Sequence, residues 1–212
     1  MVSSAPCWTA THDDPEHDMV TIRRARPADA LGMGLVHVAA WRSSYAGILP
    51  ETYLSRLSAM REAAIYERHI LERRGGHAGF VAIADAEDAP ADRIAGPNGV
   101  VVGFVTGGLA RRAGIAEGEV ETLYLLDDLR ERGIGRRMMR AVASHLASLG
   151  AQSAFAWVLS QNPSRWFYER LGARAVAQEE ISFAGERVQQ IAHAWNPIHT
   201  LLTATATTRL PR

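Results

Sequence analysis

The chain has 212 residues, 47% of them apolar, with 23 basic and 23 acidic side chains and a formal net charge of zero. That length and apolar share suit one α/β domain with a substantial core, and the balanced charge excludes a general electrostatic pull toward nucleic acid or an anionic membrane. The single cysteine, Cys7, cannot close an intrachain disulfide, no apolar run approaches the ~20 residues of a membrane span, and the first residues lack a secretion signal, so a cytoplasmic setting is expected.

Residues 1–18 are acidic, dotted with histidine and aperiodic, which reads as a disordered leader with solvated rather than metal-binding histidines. Val20 to Arg24 is the first strand candidate. Pro27 suits a helix start, and Leu31, Leu35, Val38, Ala39 and Trp41 follow at helical spacing until Ile48-Leu49-Pro50 interrupts. A second helix is predicted over 58–74, stopped by Gly75-Gly76. Strands over 80–84 and 100–109 flank residues 87–99, whose Ala, Asp, Pro and Gly content reads as a mobile hairpin loop. Next come a strand near 119–126, a helix over 133–149 and a strand over 153–159. Asn162 is placed to cap a short helix with Pro163 at its first position. Strands over 173–183 and 187–195 enclose a turn at 184–186, and residues 196–212 form a tail without clear period.

The most informative stretch runs from Glu119 to Met139, where an apolar strand passes through a loop with Gly133 and Gly135 into an arginine-rich helix. Two glycines at a helix start bring backbone N–H groups close to an anion, and the helix dipole adds about half a positive charge there. A P-loop is excluded because all 23 basic residues are arginine. A dinucleotide fingerprint would need a small residue where Met138 stands. The plain alternative is a glycine pair that only shapes a turn. Arg130, Arg132, Arg136 and Arg137 weigh against it, and Arg130 and Arg132 flank the loop most closely.

Glu119 through Met139 resembles the acetyl-CoA-binding motif of the GNAT superfamily of N-acetyltransferases, Q/R-x-x-G-x-G/A after a strand of the type E-x-x-x-L-Y-V, with Arg130, Gly133 and Gly135 at the motif positions. Asn162 through Ala173 is similar to the family's later N-x-x-x-x-F-Y-E-x-x-G segment. Asp127-Asp128, where a proline is common, and Arg165, where a small residue is common, depart from the pattern. The resemblance implies one α/β (α+β) domain over residues 19–195, a mixed, mostly antiparallel central sheet with helices on both faces. It implies acetyl-CoA as co-substrate and no metal. Its pantetheine would pair with Leu123, Tyr124 and Leu125 as an added strand, with an N–H near Leu125 polarising the thioester. The diphosphate would sit on Arg130, Glu131, Arg132, Gly133, Ile134, Gly135 and Arg136, with Asn162 near the cofactor.

Tyr168 aligns with the family tyrosine that faces the coenzyme sulfur, and a phenol there could protonate a departing thiolate. An acceptor amine, mostly protonated at pH 7, needs a base. Glu119 is favoured for it, and Glu121 is the rival because strand alternation puts both on one face unless a bulge intervenes. Trp41 and Tyr45 stand where the family places the acceptor wall, although core packing is the plainer role for Trp41. The reading is an N-acetyltransferase working by direct attack in a ternary complex on a small-molecule or a peptide or protein amine, with no nucleic-acid or membrane partner and a homodimer left open. The alternative is a non-catalytic acyl-CoA-binding or interaction module on the same scaffold.

Overall fold

The computed structural model describes residues 20–85, 99–183 and 185–206. The expectations for the leader, for Cys7 and for most of the 87–99 loop lie outside the described residues. Seven strands form one sheet: β1 (Val20–Arg24), β2 (Ala78–Ala84), β3 (Val100–Leu109), β4 (Gly118–Leu125), β5 (Ala154–Leu159), β6 (Arg174–Phe183) and β7 (Glu186–Trp195). The spatial order is β1-β2-β3-β4-β5-β7-β6, and among the described residues β4–β5 is the one parallel pair.

Helices cover both faces, which is why β2 and β3 read as nearly unbroken apolar runs and are buried along most of their length. On one face Phe104 of β3 meets Tyr66 of α3 (Ala59–Glu72) with ring centroids 4.8 Å apart. Its neighbour Gly103 faces Met138 of α4 (Ile134–Ser148) on the other, as alternation along a strand requires. In α4 the buried positions Ile134, Met138, Met139, Val142, Ala143 and Leu146 form one stripe. Helix α3 buries Ala63, Tyr66 and Ile70 and starts where the Ser58 hydroxyl accepts from the Arg61 N–H.

Helix α1 (Ala30–Ser44) departs from the sequence reading. Leu31 is exposed; of the expected residues Val38 is buried, and the buried face also carries Met33, Val36, His37 and Ala40. The helix is apolar almost all round, so no stripe in the sequence marks which side turns inward. It also begins three residues later than Pro27, which stands in a 3₁₀ turn whose Asp29 carboxylate accepts from the Arg26 N–H at 2.7 Å and pairs with Arg23. A short helix, α2 (Glu51–Ser55), follows the Ile48-Leu49-Pro50 break.

Two further corrections concern the second half. Asn162 does not cap a helix at Pro163: its Oδ1 accepts from the Ser164 N–H at 2.8 Å, and α5 (Arg165–Arg170) begins after that turn. Residues 196–206 are not an aperiodic appendage. They contain α6 (His199–Ala204), which buries Leu201 fully, and Arg140 of α4 donates to the Leu202 carbonyl.

Candidate active site

Strands β4 and β5 are paired only at Gly118↔Ala154 and Glu119↔Phe155, after which they diverge. On its other edge β4 stays paired to β3 through Leu125. From Val120 onward, the side of β4 that faces β5 is therefore a strand edge inside the sheet, able to accept an extended chain as an added strand. A cleft of about 460 Å³ fills the gap, lined by Leu123, Tyr124, Leu125, Asn162 and Tyr168 and, at its mouth, by Arg130, Glu131, Gly133, Gly135 and Arg136.

The mouth is built by conformation. Glu131 (φ 63°) and Gly133 (φ 77°) both adopt left-handed backbone, which turns the chain from a 3₁₀ turn at Asp127–Leu129 into α4. A Cβ at Gly133 would meet nothing within 4 Å, so glycine is required there by conformation and leaves open space at the helix start. The first N–H groups of α4 have no carbonyl partner within the helix, which makes this end a site for negative charge.

The flanking residues divide in a way their spacing does not announce. Arg130 lines the cleft, pairs with Asp127 at 2.7 Å and donates to Ser44 Oγ at 2.9 Å, tying the loop to α1. Arg136 also lines it while donating to the Ala206 carbonyl. Arg132 is exposed and outside the cleft lining, and the Ile134 side chain is buried in the core beneath. Ile134 therefore offers the mouth its backbone alone, while the Arg132 side chain stands in solvent beside it.

At the inner end of the cleft, Tyr45, Asn162 and Tyr168 come together. Burial raises the Tyr45 phenol, opposed by a hydrogen bond with Asn162. Burial, then the neighbouring Tyr45, pushes the Tyr168 phenol well above its ordinary value. Tyr168 thus keeps its proton at neutral pH.

A second cavity of about 760 Å³ adjoins the first and shares Tyr45, Val120, Glu121, Tyr124 and Trp157 with it. Its wall is an aromatic cluster around Trp41, with ring centroids at 4.9 Å for Tyr45, 5.6 Å for Phe183 and 6.5 Å for Tyr124. Trp41 is partly accessible and lines this cavity, so it is a wall residue and not a core one.

The two carboxylates of β4 are distinguished by a bulge. Thr106 pairs with Thr122 and Gly107 with Val120, leaving Glu121 as the extra residue. Both carboxylates still converge on Arg111. Glu119 is gripped by it through two bonds of 2.7 and 3.1 Å, while Glu121 lies 3.9 Å away. Only Glu121 lines both cavities; Glu119 reaches the second alone. Burial would raise the Glu121 carboxyl, but His77, Arg111 and His69 together hold it below the usual carboxylate range. His77 Nε2 is 3.0 Å from Glu121 Oε2.

Arg111, Trp157, Glu179 and Phe183 are cavity residues that sequence reasoning did not single out. They come from three separate places, the β3–β4 turn, β5 and β6. The signal within reach was Arg111-Arg112 just past Gly107-Gly108, a charged pair at a hairpin end facing Glu119 across the turn. Among the described residues, no group of three His, Cys, Asp or Glu side chains is arranged to hold a metal, and no helix is long and apolar enough to cross a membrane.

Comparison with known proteins adds ancestry to this geometry. Residues 101–182 match the family described as FR47-like protein. The chain is 30% identical over 186 residues to the uncharacterized N-acetyltransferase YuaI of Bacillus subtilis (strain 168), a match spanning 87% of this chain and 98% of that protein. Among solved structures, the PaiA N-acetyltransferase of Thermoplasma acidophilum in complex with coenzyme A superposes with a TM-score of 0.60 at 18% identity, covering 81% of this chain and 97% of that one. YncA of Salmonella typhimurium, solved with its cofactor acetyl-CoA, gives 0.57 at 20% identity over 84% and 94%. The likeness to these structures is one of fold; the extended match to YuaI carries the relationship, and the chain belongs to the GNAT superfamily of N-acetyltransferases.

Proposed function

We propose that this chain transfers the acetyl group of acetyl-CoA to a primary amine by direct attack within a ternary complex. The observation that carries the proposal is the divergence of β4 from β5, which leaves a strand edge leading from the left-handed loop at 131–133 to the meeting point of the two cavities. The fit to acetyl-CoA rests on that edge and on the open space at Gly133 beside the start of α4. Leu123, Tyr124 and Leu125 would pair with the pantetheine, and the amides of residues 131–136 with Arg130 and Arg136 would hold the diphosphate. When bound, the coenzyme supplies the activated acetyl thioester.

The chain's own residues supply the rest. Tyr168, kept protonated, gives its proton to the departing sulfur and recovers one from the attacking nitrogen as the adduct collapses to the amide. An N–H of β4 near Leu125 polarises the carbonyl. For the base the geometry favours Glu121 over Glu119. Both Glu119 oxygens are committed to Arg111, whereas Glu121 stands where cofactor and acceptor would meet. Glu119 then fixes Arg111 at the rim and contributes negative charge toward a cationic acceptor.

Trp41, Tyr45, Trp157 and Phe183 with the acidic Glu119, Glu121 and Glu179 support an acceptor that pairs an ammonium group with an apolar or aromatic body. The test is release of free coenzyme thiol from acetyl-CoA by the purified chain against a panel of such amines and of peptides. Release that needs both chain and amine is expected. Binding of acetyl-CoA with no release for any amine would instead mark a non-catalytic module.

A further inference from the structure

His77 is buried between α3 and the β2–β3 pair, and the reaction as derived so far does not use it. Its side chain is 9% exposed. Its Nε2 lies 3.0 Å from Glu121 Oε2 without hydrogen-bond alignment in the resting chain, so that neither ring nitrogen has a hydrogen-bond partner among the described residues and a small turn of either side chain would bring the pair into line. The placement involves a close approach: a Cβ at Gly108 would lie 3.1 Å from the His77 Cα and from the Gly75 oxygen, so a side chain there would push this segment back by a few tenths of an ångström. Gly108 is also the partner of Glu119 across the ladder, which sets His77 beside the acidic bulge of β4.

We propose that His77 and Glu121 act as one proton-accepting unit, in which Glu121 takes the proton from the acceptor ammonium and His77 Nε2 stores it during transfer. An N–H bond of the ammonium breaks as an O–H bond forms on Glu121; that O–H breaks in turn as an N–H forms on His77, leaving an imidazolium beside a carboxylate. After the product leaves, the proton returns through Glu121 to water in the open cavity. His77 does not touch the substrate itself and acts on it through Glu121, as a positioning and proton-holding residue. The proposal rests on the acetyltransferase reading above.

The groups that bear on the unit come from each element around it. Arg111 from the β3–β4 turn and Tyr66 from α3 face Glu121. The His69 ring of α3 meets His77 edge to face at 5.1 Å, and Arg68 and Glu72 lie near His69. Arg111 and His69 favour an ionised Glu121. A stored positive charge on His77 is therefore tolerated mainly through that carboxylate.

Two measurements test this. The first follows the ring nitrogens of His77 by ¹⁵N NMR through a pH titration in the native chain and in Glu121→Gln. Removing a carboxylate at this distance should lower the His77 midpoint by about 1 pH unit or more. The second compares His77→Gln with the native chain. The expectation is a kcat lower by ~10-fold or more, with coenzyme affinity and acceptor KM retained and the acid limb of the kcat profile moved to lower pH. An identical His77 titration in the two proteins, or a native pH profile in His77→Gln, overturns the proposal. If His77→Gln fails to fold, the NMR comparison decides alone. Lack of thiol release by the native chain with every amine would defeat the acetyltransferase reading and leave the NMR result to report on the coupled pair.

Discussion

The cleft proposed for the cofactor and the cavity proposed for the acceptor share a wall yet are built from different materials. The features that shape the cleft are main chain: a strand edge exposed by divergence, two left-handed residues and the start of a helix. The acceptor cavity is mostly side chains, brought from α1, the β3–β4 turn, β4, β5, β6 and β7. Backbone geometry persists through many substitutions, whereas a wall of side chains is remade by a few. One chain can thus keep a constant acyl donor site beside an acceptor site free to vary.

Substitutions that act on one half and spare the other would sharpen this contrast. The largest effect is expected at the meeting point of the cavities. Tyr168→Phe should lower kcat by ~100-fold while acetyl-CoA affinity, measured by calorimetry, stays near native. An unchanged kcat would remove Tyr168 from the proton transfer. Next is the acceptor wall, where Trp41→Ala should raise the acceptor KM by ~10-fold through loss of aromatic contact without altering coenzyme binding. A change in coenzyme Kd of similar size would mean that the halves are not independent. Gly133→Ala should do the converse. A side chain at φ 77° costs about 1–2 kcal/mol, which should weaken acetyl-CoA by about tenfold and leave the acceptor KM alone.

The smallest effect at neutral pH concerns stability behind the acceptor wall. His37 packs against Trp41 and Tyr124, its Nδ1 lies 2.7 Å from the Tyr66 hydroxyl, and burial pushes its imidazole down to about 4. The folded state thus favours the neutral ring, while an unfolded chain binds a proton near the ordinary value of about 6.5. That contribution is complete above the unfolded value and is lost as pH falls from there toward the folded one. Thermal unfolding of the native chain should show a falling Tm over that window, and His37→Gln should flatten the slope. A slope unchanged by the substitution would assign the acid sensitivity to other groups.

The same division explains what could be read from the sequence. Gly133, Gly135 and the strand before them are contiguous, and their conformational demands follow from residue type, so the cleft was legible locally. The bulge at Glu121 was not: a register shift depends on how β3 lies beside β4, and alternation alone left Glu119 and Glu121 equivalent. The inward face of α1 was hidden for a related reason, since a helix apolar on every side shows its orientation only against α3 and the sheet. Asn162 carried the right residue type for local capping, yet the turn it closes at Ser164 displaced the helix start. Arg111 was signalled only by its place in a charged pair at a hairpin end, and His77 gave no local sign, because it meets its partner on another strand.

The central claim is that the exposed edge of β4 and the loop at 131–136 receive acetyl-CoA. Amide hydrogen exchange with and without coenzyme tests it most directly. Binding should slow exchange at amides within 120–125 and 131–136, with the strongest protection confined to those two stretches. Saturating coenzyme that leaves both unprotected, in a chain otherwise well folded, would contradict the account.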